Sequence, residues 1–167
     1  MKATLVHVIL CLLALSIGAT ASPAFACNSH IIAMLEQGMQ IPAYKCGSHL
    51  NEATAAASEK KWDVAIKAIR AQMEEWRRQD PDNLELLGYF QSKNGDYNGA
   101  KATYQKVLAK TPDRVSTHQL LGELYLAKGD HKLARAELAV VQKNCKPGCY
   151  ELDQLQHKFK DAKVQEE

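Results

Sequence analysis

Residues 86–107 read LLGYFQSKNGDYNGAKATYQKV, and residues 120–141 read LLGELYLAKGDHKLARAELAVV. Laid over one another at an offset of 34, the two stretches share Leu86-Leu87-Gly88 with Leu120-Leu121-Gly122 and Gly95-Asp96 with Gly129-Asp130. Ala100, Ala102 and Val107 fall on Ala134, Ala136 and Val141. A fixed period of this size, with a turn signal at its centre, marks a helix–turn–helix unit stacked on copies of itself. Each shared residue has a physical reason. Glycine inside a helix costs ~1 kcal/mol, a cost that is acceptable at Gly88 and Gly122 if a paired helix must come close there. Gly95 and Gly129 supply the left-handed residue that ends one helix, and Asp96 and Asp130 can cap the next. Tyr97, Ala100, Tyr104, Val107 and Leu108 follow helical spacing and predict one buried face. Pro112 then closes the unit, because proline cannot continue a helix.

The pattern fades outward from these two units. An earlier unit over about 47–80 is degenerate: Lys61-Trp62-Asp63-Val64-Ala65 stands for the inter-helix turn and Asp80-Pro81 for the close, but Ala53-Thr54 replaces the Leu-Gly pair. Before it, residues 29–38 predict a short amphipathic helix ending at Gly38. After Lys146-Pro147-Gly148, Leu152, Leu155, Phe159 and Ala162 return to helical spacing and predict a capping helix. A stacked array needs such a cap, because its last unit otherwise exposes an apolar face.

These motifs resemble the tetratricopeptide-repeat family. The resemblance is strongest over 82–112, where Leu87-Gly88, Gly95-Asp96-Tyr97, Ala100, Tyr104 and Pro112 stand where the family has them. The last unit keeps Leu121-Gly122, Tyr125, Gly129-Asp130, Ala134 and Leu138, and departs with Lys146 at the usual proline position. The resemblance implies an all-α fold: a short α-solenoid of about three helix–turn–helix units, with an N-terminal helix and a C-terminal capping helix. The expected division is 1–26 a signal peptide, 27–46 an N-terminal helical segment, 47–148 the repeats (47–80 degenerate, 81–114, 115–148), and 149–167 the cap with a polar tail.

The first 26 residues read as an export signal. Lys2 is their only formal charge, Leu5 to Ala19 is almost wholly apolar, with His7 interrupting it, and Ser22-Pro23 precedes Ala24-Phe25-Ala26, a small-x-small cleavage pattern. The apolar run is short for a span of ~20 residues. Cleavage after Ala26 and a periplasmic or secreted location are therefore expected, with no stable membrane span left behind. Cys27 follows the cleavage point, which raises lipidation as an alternative, but bulky Phe25 stands where a lipoprotein signal has a small residue.

The chain has 167 residues, 46% hydrophobic and 24% charged, with a net charge of +2. Removing Lys2 leaves acidic and basic residues nearly balanced, and no basic stripe predicts nucleic-acid binding. Beyond the signal four cysteines remain: Cys27, Cys46, Cys145 and Cys149. In an oxidising compartment an even count points to disulfides, and three pairings are open. Sequence proximity favours Cys27–Cys46 and Cys145–Cys149. The C-x3-C turn followed by Tyr150-Glu151-Leu152 resembles small exported bacterial members of the family. A thiol or metal site at Cys145 and Cys149 is the alternative, although C-x-x-C is absent and the histidines are dispersed.

No phosphate loop, nucleophile elbow or haem-attachment motif occurs, so no catalytic residue, cofactor or metal ligand is assigned and no enzyme activity is expected. The resemblance implies instead a groove, lined by the first helix of each unit, that receives a peptide or helix. By register its positions are Glu85, Tyr89, Ser92 and Lys93, then Gln119, Glu123 and Leu126. Glu85 and Glu123 stand where carboxylate-clamping relatives have basic or amide residues, so a neutral or basic segment of an exported or envelope protein is the expected partner. Three functions remain open: a non-catalytic protein-interaction module in the bacterial periplasm, a metal- or thiol-handling protein on the same scaffold, and a lipid-anchored envelope assembly factor.

Overall fold

One turn geometry recurs along the chain and sets its architecture. Asp96 donates its backbone N–H to the Gln91 carbonyl at 2.9 Å, and Asp130 donates to Tyr125 at 2.8 Å. These six-to-one bonds close a helix around a left-handed residue, Gly95 at φ +83° and Gly129 at φ +74°. The degenerate unit makes the same turn. Lys61 donates to Ala56 at 2.9 Å, with Lys60 in the glycine's place at φ +59°. A non-glycine residue there carries a steric cost of roughly 1 kcal/mol. The turn is therefore built by tertiary packing, without the Gly-Asp signal.

The computed structural model describes residues 31–39, 48–75, 79–146 and 148–164. They form α1 (Ile31–Glu36), α2 (Ser48–Ser58), α3 (Trp62–Glu75), α4 (Pro81–Lys93), α5 (Tyr97–Lys110), α6 (Val115–Ala127), α7 (His131–Asn144) and α8 (Tyr150–Asp161), with no strand among the described residues. α2–α3, α4–α5 and α6–α7 are antiparallel hairpins; each packs on the next, and α8 packs on α6 and α7. This is an all-α helical-repeat solenoid. Residues 1–30, including the expected signal and Cys27, lie outside the described residues, as does Cys46.

Helix starts follow local chemistry. Asp80 accepts the Asn83 backbone N–H at 2.9 Å, with Pro81 at the first helical position. Asp96 accepts from the Gly99 N–H at 2.9 Å and Asp130 from the Leu133 N–H at 3.5 Å. The expected face of α5 is present: Ala100, Tyr104 and Val107 are buried, with Tyr97 and Leu108 partly so. Gly88 lies under the Tyr104 ring, and Gly122 under the Leu155 methyls of α8. Ala53, fully buried, is the small residue at the matching place in α2. Leu155 and Phe159 of the cap are fully buried, closing a second apolar cluster with Ala134, Leu138 and Val141. Ala162, expected on that face, is exposed because α8 ends at Asp161 and Ala162 caps it.

Candidate functional site

The first helices of the last two hairpins, α4 and α6, touch one another directly. Tyr89, Ser92 and Lys93 stand on one of them; Gln119, Glu123 and Leu126 stand on the other. Tyr89 is buried, with Lys93 Nζ 5.0 Å from its ring centroid, a cation–π distance. Its ring also meets Phe90 and Trp62, at 6.0 and 6.4 Å between centroids. Gln119 is buried and donates its amide to the Glu123 carboxylate. Ser92, Glu123 and Leu126 are half-buried and Lys93 is exposed.

Glu85 departs from its expected role. It is only 6% exposed and acts as an internal anchor. Arg114, just before α6, donates Nε to Oε1 at 3.1 Å and Nη2 to Oε2 at 2.9 Å, while the Ser116 hydroxyl donates at 2.7 Å. The Thr117 hydroxyl donates to the same carboxylate, and Arg114 also reaches Asp82 at 2.5 Å. This bidentate pair locks the second unit to the third. Glu85 therefore does not offer a free charge to a ligand, and the expected acid repulsion rests on Glu123 alone.

The face is covered by the chain itself, which sequence reasoning missed. Ile31 of α1 is 1% exposed within the main apolar cluster, with Ile32 and Leu35 packed against it. Glu36, at the end of α1, pairs with Lys93 of α4 at 3.7 Å. Gln37, just past α1, interacts with the Tyr150 hydroxyl of α8 and eases the rise that burial imposes on it. Burial first, and then the Glu36 charge, push the Glu123 carboxyl up to about 7; Lys158, the Gln119 hydrogen bond and Lys93 oppose that rise. So α1 packs on α2, while its C-terminal end reaches Lys93 of α4 and Tyr150 of α8 and its Glu36 charge acts on Glu123 of α6. Its Ile-Ile-x-x-Leu-Glu pattern carries an amphipathic-helix signal, but nothing local says which surface it covers.

At the other end, Cys145 and Cys149 form the expected disulfide, with Cα atoms 5.9 Å apart. Their sulfurs and a Glu151 carboxylate lie within 4.8 Å of one another. A disulfide sulfur is not a thiolate, so this trio cannot ligate metal in the oxidised state. His157 is turned to Asp161 at 3.1 Å. Closing so short a loop contributes about 2 kcal/mol, so a reductant should lower the melting temperature by on the order of 5 °C. An unchanged melt would show that the bond carries no stability.

His118 is also structural. Its Nδ1 lies 2.6 Å from Glu137 and its Nε2 lies 2.8 Å from the Pro112 carbonyl, tying α6 to α7 and to the preceding turn. No described helix is long and apolar enough to cross a membrane.

Residues 92–144 match the tetratricopeptide-repeat family model. Over those residues, about a third of the chain, the sequence is similar to a tetratricopeptide repeat. The match runs from the end of α4 through α7, so it includes the Gly95-Asp96 and Gly129-Asp130 turns. Tetratricopeptide repeats generally serve as protein-interaction scaffolds and are generally non-catalytic. No curated protein matches the chain.

Proposed function

We propose that this protein is a non-catalytic interaction module of the bacterial periplasm that holds a segment of another exported or envelope protein across α4 and α6. The observation that carries this reading is α1 itself. A short apolar helix already joins the cluster that holds Tyr89, pairs its ionic end with Lys93 and brings its charge to bear on Glu123, the chemistry a peptide-holding face requires. The periplasmic location rests on residues 1–26, whose short apolar run and Ala24-Phe25-Ala26 read as a cleaved signal. The disulfide at Cys145–Cys149 is consistent with that oxidising compartment.

The test is partner capture by the full chain bearing Lys93→Glu with Leu126→Asp. Both side chains are at least partly exposed, so the fold should persist while retention of the partner falls about tenfold or more, as for loss of a central contact pair. Undiminished capture by a folded variant would remove these residues from the interface.

A further inference from the structure

Helix α1 has six residues. Isolated helices shorter than ~12–15 residues are marginal in water. Its helical form therefore depends on the face it covers. The apolar side fits: Ile31, Ile32 and Leu35 join the main cluster. The polar end fits poorly. Glu36 is 10% exposed as a side chain, and its buried Oε1 has no hydrogen-bond partner among the described residues. Lys93 Nζ, at 3.7 Å, is too far to donate to it. The charge of Glu36 also opposes that of Glu123 on α6. A buried acceptor without a donor, beside a like charge, costs free energy that a better-matched segment would not incur.

We propose that α1 is a resident, displaceable ligand of the α4–α6 face, and that the partner segment is an amphipathic helix with the same aliphatic triad but a hydrogen-bond donor where α1 has Glu36. This deepens the reading of the face as a protein-binding surface and rests on it. The triad positions are i, i+1 and i+4, taken from Ile31, Ile32 and Leu35; the donor is at i+5. An amide or a basic side chain there donates to Glu123 in place of opposing it. α1 belongs to the same chain as the face, and short intrachain linkage gives an effective concentration of about a millimolar. The partner therefore competes with a local helix that is always present but imperfectly matched.

The groups facing Glu123 are Glu36 of α1, Lys93 and Tyr89 of α4, Tyr104 of α5, Gln119 of α6, and Lys158 and Tyr150 of α8. The tyrosines are pushed upward, chiefly by burial, and stay neutral. Burial first, and then the Glu36 charge that α1 brings, hold the Glu123 carboxyl above its ordinary value of 4.5, at about 7, so docking of α1 adds to the rise. The docked state thus binds more protons than the open one. Its closure is strongest at acid pH and weakens as pH rises through about 7.

The probes are acetylated, fluorescently labelled peptides of residues 31–39, one native and one carrying Glu36→Gln. They are titrated against the full chain and against the full chain bearing Ile32→Asp with Leu35→Asp, which frees the face. The native peptide should bind the freed chain at least about tenfold more tightly than the wild-type chain. At about pH 8 the Glu36→Gln peptide should bind about tenfold more tightly than the native one, and this advantage should shrink toward about pH 5.5 as Glu123 takes up its proton. Equal affinity for both chains would show that α1 does not occupy the face. No binding to a folded, freed chain would show that the face does not recognise the triad. An equal affinity of the two peptides would remove the donor from the partner's description.

Should the freed chain not fold, Glu36→Gln in the full chain gives the same answer. It should slow hydrogen exchange over residues 31–36 several-fold at about pH 8, where the charge opposition is greatest. Unchanged exchange would overturn the proposal. Partner capture separates this inference from the reading beneath it. If Lys93→Glu with Leu126→Asp abolishes capture while neither peptide binds, the face stands as the interface and only the role of α1 falls. If the peptides bind as described while capture is unaffected, the face takes α1 but the partner docks elsewhere.

Discussion

Gly88→Ala lowers the melting temperature by up to roughly 8 °C, although alanine is the better helix former by about 1 kcal/mol. A Cβ at this position meets the Tyr104 ring at 2.5 Å from Cε1, 2.8 Å from Cδ1 and 3.0 Å from Cζ. Tyr104 is 1% exposed, so its ring has no open space to move into. Overpacking of this kind costs about 1–3 kcal/mol after the neighbours adjust, and that exceeds the propensity gain at the upper end. Gly122→Ala is the internal control. Its new Cβ meets the Leu155 methyls at 2.9 Å, the far end of a flexible side chain. The loss there should be smaller, and calorimetry of the two variants checks the order. A Gly88→Ala protein that melts at or above the wild-type temperature would show that α4 and α5 do not approach as closely as described.

Glu85→Lys is the second large effect, and its readout is stability before binding. The substitution leaves Arg114 facing a new positive charge, with the buried Thr117 hydroxyl and the Ser116 hydroxyl deprived of their acceptor. Breaking a buried pair from one side costs about 3–5 kcal/mol. Arg114 is 23% exposed, which places the expected loss near the lower end of that range. Urea unfolding should show a loss of about 3 kcal/mol for Glu85→Lys and a smaller one for Glu85→Gln, which keeps the shape and one acceptor. Glu123→Lys, at a half-buried site, should cost less. If Glu85→Lys leaves the unfolding midpoint unchanged, the Arg114 anchor does not hold the second and third units together.

The contrast between Glu85 and Glu123 shows what was legible in the sequence. The two occupy related positions in a helical register, and register places both on the first-helix face. Which of them is free depends on Arg114, which lies in the connection between α5 and α6 and carries no repeat signal. Register reports which side of a helix a residue is on, while a long-range pair is set by the tertiary path. The Gly-Asp turns were readable because their chemistry is local: a left-handed glycine followed by a capping aspartate. The same turn at Lys60-Lys61 was seen only as a degenerate echo, since packing imposes it there without the favoured residues. The small residues showed the same division. Gly88 and Gly122 signalled close approach, but the partners they admit, Tyr104 and Leu155, came from packing.

The position of α1 was the least legible feature. Its Ile-Ile-x-x-Leu pattern gives an apolar stripe, and any apolar face of the solenoid satisfies a stripe equally well. The choice of the α4–α6 face is made by Glu36 with Lys93 and by Gln37 with Tyr150, contacts that reach more than fifty residues along the chain. The disulfide at Cys145–Cys149 lies at the opposite extreme. Its four-residue separation makes the pairing nearly local, and sequence proximity was enough to pick it.

Site-specific photo-crosslinking shows whether the first-helix face is where another protein is held. A benzophenone side chain is placed at Ser92 or Leu126 on that face, and at Gln105 or Lys132 on the exposed sides of the second helices α5 and α7. Ser92 and Leu126 should each give one discrete partner adduct, alongside intrachain adducts to α1, and Gln105 and Lys132 none. The same partner captured from Gln105 and Lys132 but not from Ser92 and Leu126 would contradict this placement.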